Sequence, residues 1–306
     1  MTTQIDIPRS LAEATPLLTP WPVGLIPFQI RAQHLALQGA ADAATSALPV
    51  VADYYVGASL DLPTADVPVN GSMLEAWGVE IDVVVEAARA NRADDEAEVR
   101  SYGSALVIEG VPFAASVLLN PAALSQLASN GTPVIIVPEP GIVVVGYAED
   151  ADSLASLARA AEESLSKSGR PVSATPLVRT ADGWAPFTWP EAVASEAGRL
   201  RRRWDNVQYA AARSVVQAGY EAGGRRVFVA DHALAEDAEG NRITYAALTG
   251  PLMLVPRADY YVLQADDGRM AQVPFASVEA RQDVLVPAQG VVPEYFVVNR
   301  FPDELI

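Results

Sequence analysis

The sequence predicts an α+β protein: a mainly antiparallel sheet with repeated strand-strand-helix units, plus a strand-rich C-terminal subdomain entered by a long amphipathic helix. Three observations carry this. Residues 104–167 alternate strand-like and helix-like patterns with turn residues between them. Residues 134–137 and 142–145 are unbroken apolar runs, which suit strands covered on both faces. Val193, Ala197, Leu200, Trp204, Val207, Ala211, Val215 and Ala218 recur at spacings of three and four, the stripe of a helix.

Residues 1–70 form the first predicted region, an N-terminal arm with a short helix and strand. Prolines at 8, 16, 20, 22 and 27 punctuate it, followed by an Ala-rich weak helix over 30–47, a strand over 48–55 and a loop over 61–68. Residues 18–28 are apolar but too proline-rich for an interior strand, so they are expected to run as an extended arm over a surface. Trp21, Leu25, Ile26 and Phe28 are its apolar side chains, to be packed on the arm's own domain or to dock a partner.

The central domain is predicted over 71–187. Ser72 and Glu75 spell a capping box for a helix interrupted at Gly78 and resumed over 79–92, with Val83, Val84, Ala87 and Ala88 facing inward. The acids Asp94, Asp95, Glu96 and Glu98 that follow read as a solvated surface rather than a metal site. Residues 104–108 and 113–119, around the Gly110 to Pro112 turn, read as a hairpin. Asn120 and Pro121 then cap and open a helix over 121–130 that stops at Gly131. Strands over 132–137 and 142–147 flank a type II turn with Pro140 and Gly141 at its centre. Asp150 or Asp152 caps a helix over 151–167 whose buried stripe is Leu154, Leu157, Ala161 and Leu165. The order is strand, strand, helix, repeated once. Two helices cover one face of the sheet, so the other needs a further layer from this chain or from a partner. A hairpin around Asp182 and Gly183 extends the sheet.

Trp77 on a helix ending at Ala90 and Asn91, the Phe113-Ala-Ala-Ser116 run, the helix after Asn120, the strand from Pro133, the Pro138-Glu139-Pro140 turn, and Pro171-Val172-Ser173 leading to Leu177 together resemble the YtpQ-like family of uncharacterised bacterial proteins. The resemblance spans roughly residues 72–187. It implies no catalytic residue, and the chain departs from the family pattern at both ends.

The third region, 188–306, opens with a second capping box, Thr188 and Glu191, and the long helix. On that helix Arg199, Arg202 and Arg203 share one side, a local basic patch suited to an anion or an acidic partner. Ordinary helical pairing of Arg201 with Asp205 and of Glu196 with Arg199 competes with that reading. Strands are predicted over 226–230, 243–248, 260–264, 270–274 and 295–298, with turns at 239–241 and 266–268.

The chain has 306 residues, half of them hydrophobic, enough for one large or two ordinary domains. It contains no cysteine, which excludes disulfides, thiolate metal sites and a cysteine nucleophile. A formal charge of −17 argues against a nucleic-acid partner. No apolar stretch reaches the ~20 residues needed to span a bilayer, and the first residues lack a leader pattern, so no membrane association and a cytoplasmic setting are expected. No phosphate-binding, dinucleotide or serine-hydrolase motif occurs, and the two histidines, His34 and His232, are too few for a conventional metal site. The expectation is a non-catalytic protein-interaction or assembly protein, with a protein partner or self-association and neither cofactor, metal nor catalytic residue. The alternative is an enzyme using Asp or Glu acid-base chemistry, or a protein binding an anionic ligand at Arg199, Arg202 and Arg203.

Overall fold

In the computed structural model, which describes residues 6–92, 97–125, 127–238, 240–281 and 283–306, the chain divides between two units, each with its own core. One holds the chain up to residue 28 together with 39–197; the other holds 29–38 and 198–306. Regions expected as separate, 1–70 and 71–187, thus share one unit. Expectations about the first five residues, the acids Asp94 to Glu96 and the turn residue Glu239 fall outside the described residues.

Ser10 caps the first helix, α1 (Leu11–Ala14), by accepting from the Glu13 amide. Strand β1 (Leu18–Gly24) follows, then α2 (Leu25–Leu37), β2 (Ala47–Val51), β3 (Tyr54–Leu62) and β4 (Ala65–Pro68). β1, β2 and β4 all pair antiparallel with β3. The predicted arm is therefore half strand and half helix. β1 bonds to one neighbour only, and that edge position is what accommodates Pro20 and Pro22. Leu25, Ile26 and Phe28 open α2 instead of trailing, because Pro27 falls in the first helical turn, where its missing N–H costs nothing. The region expected as a loop, 61–68, is instead the end of β3, a turn at 63–64 and the whole of β4.

Helix α3 (Gly71–Trp77) is capped by the Asn70 carboxamide, which accepts from the Met73 amide at 3.0 Å, not by Ser72. Gly78, at φ 67°, closes it in the left-handed conformation. Helix α4 (Ile81–Asn91) buries Val84, Val85 and Ala88 and leaves Val83 46% exposed. The inward face is thus turned by about a residue from the expected one.

The central sheet is built from β5 (Glu98–Tyr102), β6 (Ala105–Glu109), helix α5 (Val111–Leu119), β7 (Pro133–Glu139), β8 (Ile142–Tyr147), α6 (Ala151–Lys167), β9 (Leu177–Thr180) and β10 (Gly183–Pro186). Its strand order is β10-β9-β7-β8-β6-β5, every pair antiparallel. Strand-strand-helix does occur twice, but the first unit is β5-β6-α5: residues 113–119 are helical, not the second strand of a hairpin. A run that is apolar but for Ser116 has too little period for helix and strand to be told apart. The expected helix over 121–130 is two 3-10 turns, Pro121–Leu124 and Leu127–Asn130, the first capped by Asn120.

Alternate residues of β7 and β8 face two different layers. Ile135, Val137, Val143 and Val145 pack with Ala114, Ala115 and Leu118 of α5, Tyr54 and Val56 of β3, and Val85. On the other side Gly146 lies under α6, where an added Cβ would meet Leu157 Cβ at 3.2 Å and Ser153 O at 3.1 Å. The layer missing from the sequence reading is supplied by this chain. Tyr54 fixes it in place: its hydroxyl donates to Thr175 O at 2.8 Å and accepts from the Val137 amide at 3.2 Å.

Helix α7 (Ala194–Ala222) carries the chain into the second unit, whose elements are β11 (Phe228–Val229), β12 (Ala233–Glu236), β13 (Arg242–Leu248), β14 (Met253–Pro256), β15 (Tyr260–Gln264), β16 (Met270–Pro274), helix α8 (Phe275–Glu279), β17 (Leu285–Pro287) and β18 (Tyr295–Val298). They form two four-stranded sheets, β11-β14-β18-β17 and β12-β13-β15-β16, antiparallel except for β11/β14 and β13/β15. Leu248, Val255, Tyr261, Phe275 and Phe296 fill the core. The capping box expected at Thr188 and Glu191 does not form: Pro190 precedes a 3-10 turn, Glu191–Val193, with no side-chain cap. α7 buries Leu200, Trp204, Gln208, Tyr209, Ala212, Val215 and Val216. Ala211 and Ala218 of the predicted stripe are exposed.

Candidate functional site

Two features of the second unit combine charge, burial and shape. The first is a polar cluster beside α7. Arg202 Nε donates to Asp259 Oδ2 at 2.8 Å, and that carboxylate also accepts from the Thr244 amide at 2.8 Å and the Thr244 hydroxyl at 2.9 Å. These bonds hold the Asp259 carboxyl below the ordinary range although burial pushes it upward. Tyr209 OH donates to Glu294 O at 2.7 Å and accepts from the Arg257 amide at 3.1 Å. His232 stacks on the Tyr209 ring, centroids 4.8 Å apart, and Asn206 Nδ2 donates to its carbonyl at 2.7 Å. Burial pushes the His232 imidazole down to about 4, so it is neutral at pH 7. Asp205, by contrast, is raised by burial despite Arg201 at 3.4 Å.

Of the predicted basic patch, Arg202 enters this cluster. Arg202 is committed to Asp259, and Arg199 also has an interaction within the structure. Arg203 is half-buried with its Nε enclosed and unbonded. Asp231 is exposed and pairs with Arg213 at 3.0 Å, whereas His232 is buried. His34 is exposed on α2, within 3.0 Å of Gln38.

The second feature is a groove of about 480 Å³ formed by the latter half of α2, the end of α7 and residues 289–291. Leu37, Val215, Val216 and Val291 give it apolar walls, and Tyr220 and Arg225 stand at its edge. Gly219 and Gly290 leave it open, since a Cβ at either would meet nothing within 4 Å. Gly219 lies in the last turn of α7. Arg225 follows the left-handed Gly224 that closes α7, donates its amide to Tyr220 O at 2.9 Å, and lays its guanidinium 5.5 Å from the Tyr220 ring. It also borders a second concavity of about 650 Å³ with Glu221, Arg226 and Phe228, the last 52% exposed on the edge strand β11.

The groove is lined by no carboxylate, histidine, serine or lysine. The half-buried carboxyl groups displaced by their surroundings in the polar cluster, Asp205 and Asp259, do not line it. Sequence reasoning passed over it because its wall comes from residues 33–37, 215–225 and 289–291, brought together only by folding. The one local signal was Arg225 and Arg226 directly after the Gly223-Gly224 helix stop.

Of the expected arm residues, Trp21, Leu25, Ile26 and Phe28 are all half-buried within the chain. The Arg170 guanidinium lies 5.2 Å from the Trp21 ring, and Phe28 stacks on Tyr55 at 6.1 Å. Among the described residues no group of acids and histidines is placed to hold a metal, and no helix is long and apolar enough to cross a membrane. No family model, curated protein or solved structure matches the chain.

Proposed function

We propose that this chain is a non-catalytic interaction protein of the cytoplasm, and that the groove beside the end of α7 receives an apolar side chain of a protein partner. The observation that carries this is the separation of shape from chemistry. The concave, apolar-walled site has no group to move a proton apart from the Tyr220 phenol, while the carboxyls with displaced protonation lie elsewhere. An acid-base enzyme needs both in one place.

The test is affinity capture of the native complex by the wild-type chain and by Gly219→Leu, with masses measured. Leucine at 219 fills open space, so the fold is retained while the groove is blocked. The expected outcome is a stoichiometric partner held by the wild type and lost by the variant. Recovery of the wild-type monomer alone, or equal retention by Gly219→Leu, overturns the reading.

A further inference from the structure

Resting on that reading of the groove, we propose that the partner segment it takes is acidic as well as apolar: an aliphatic side chain enters the groove and flanking carboxylates pair with Arg225 and Arg226. Charge complementarity favours such a segment. The chain carries 38 acids against 21 basic residues, so arginines here have acids to spare. Arg89, Arg100, Arg201, Arg202, Arg257 and Arg300 all hold carboxylates within 4 Å. Arg225 and Arg226 hold none among the described residues, and nor do Arg31 and Arg179; what sets Arg225 and Arg226 apart is that they border the two concavities, exposed, with Glu221 on the preceding turn bonded to Gln217 at 3.0 Å.

Arginine after a helix C-terminus is favourable in itself, which accounts for one cation there but not for where the second leads. Arg225 lines both concavities, and Arg226 lines the one that ends on exposed Phe228. The surface thus runs apolar, cationic, apolar, from Leu37 and Val291 across two guanidiniums to Phe228. An extended acidic-apolar segment matches that order, with its carboxylates taking the geometry that guanidinium forks favour. The net negative charge of the whole chain does not reverse this: at physiological salt the Debye length is about 8 Å, so contact charges decide the preference.

The test is an amide chemical-shift titration of the full chain with three capped peptides: acetyl-Glu-Leu-Leu-Glu-amide, its lysine counterpart with Lys for Glu, and its serine counterpart with Ser for Leu. The acidic apolar peptide is expected to shift the amides of Gly219, Gly223 and Gly290 and to bind about tenfold more tightly than the lysine peptide, the sum of two exposed ion pairs and the matching repulsions. Arg225→Glu with Arg226→Glu is expected to reverse that order, and Gly219→Leu to abolish both. A lysine or serine peptide that binds the groove as tightly as the acidic one overturns the inference while leaving the groove as a docking site. Failure of all three to perturb the groove overturns both.

Discussion

His232 sits in surroundings that take it well away from its ordinary chemistry. It is 8% exposed, stacked on Tyr209, and its imidazole is pushed down to about 4 by burial. In the unfolded chain it takes a proton near pH 6.5, in the folded chain only near 4. Between those values the unfolded state binds more protons, so stability falls as pH falls through this window, by up to about 3 kcal/mol once the lower value is passed. Urea unfolding at pH 7 and pH 4.5 is expected to show this loss in the wild type and a smaller one in His232→Gln. Asp259 behaves oppositely in origin but alike in sign: its lowered carboxyl stabilises above the ordinary carboxylate range and loses that contribution on acidification. Asp259→Asn leaves Arg202 half-buried without its anion and is expected to cost about 2–3 kcal/mol at pH 7, read from the denaturant midpoint. Neither pairing could be read from the sequence, since Arg202 and Asp259 lie 57 positions apart and nothing local marks them for each other.

At the scale of elements, what was readable depended on whether a local rule governed the segment. Asp150 accepts from the amides of Asp152 and Ser153 and opens α6 where expected, and the stripe Leu154, Leu157, Ala161, Leu165 is buried as its spacing requires. Leu157→Ala is therefore expected to cost about 2–5 kcal/mol, measured by thermal or urea unfolding, because Leu157 is fully buried over Gly146. Asn70 shows the limit of the same rule. The box Ser72 and Glu75 has the right letters, yet Asn70 two residues earlier takes the Met73 amide, and Asn70→Ala is expected to lose about 1 kcal/mol of stability. Where no local rule operates, tertiary context chose: residues 113–119 became a helix beneath the sheet, and β5, although exposed along most of its length, became a strand because β6 offers it an edge.

For the whole molecule, net charge is the property that acts everywhere at once. With an excess of 17 negative charges and a pI near 4.4, like charges repel across the surface and destabilise the compact state. Raising NaCl from low to about 0.2 M at pH 7 is expected to lift the thermal midpoint, since exposed ion pairs such as Lys167 with Glu163 contribute little for salt to remove. The sequence by itself determined the α+β class, the long helix, the mainly antiparallel pairing and the demand that the strands 134–137 and 142–145 be covered on both faces. Those follow from periodicity and turn chemistry, which act over a few residues. Tertiary structure alone decided that β3 and α5 supply the second cover, that Arg202 is spent on Asp259, and that Leu37, Gly219, Arg225 and Val291 line one groove. Such contacts join segments scores of residues apart, and their energies come from burial and charge pairing that no short window of sequence contains.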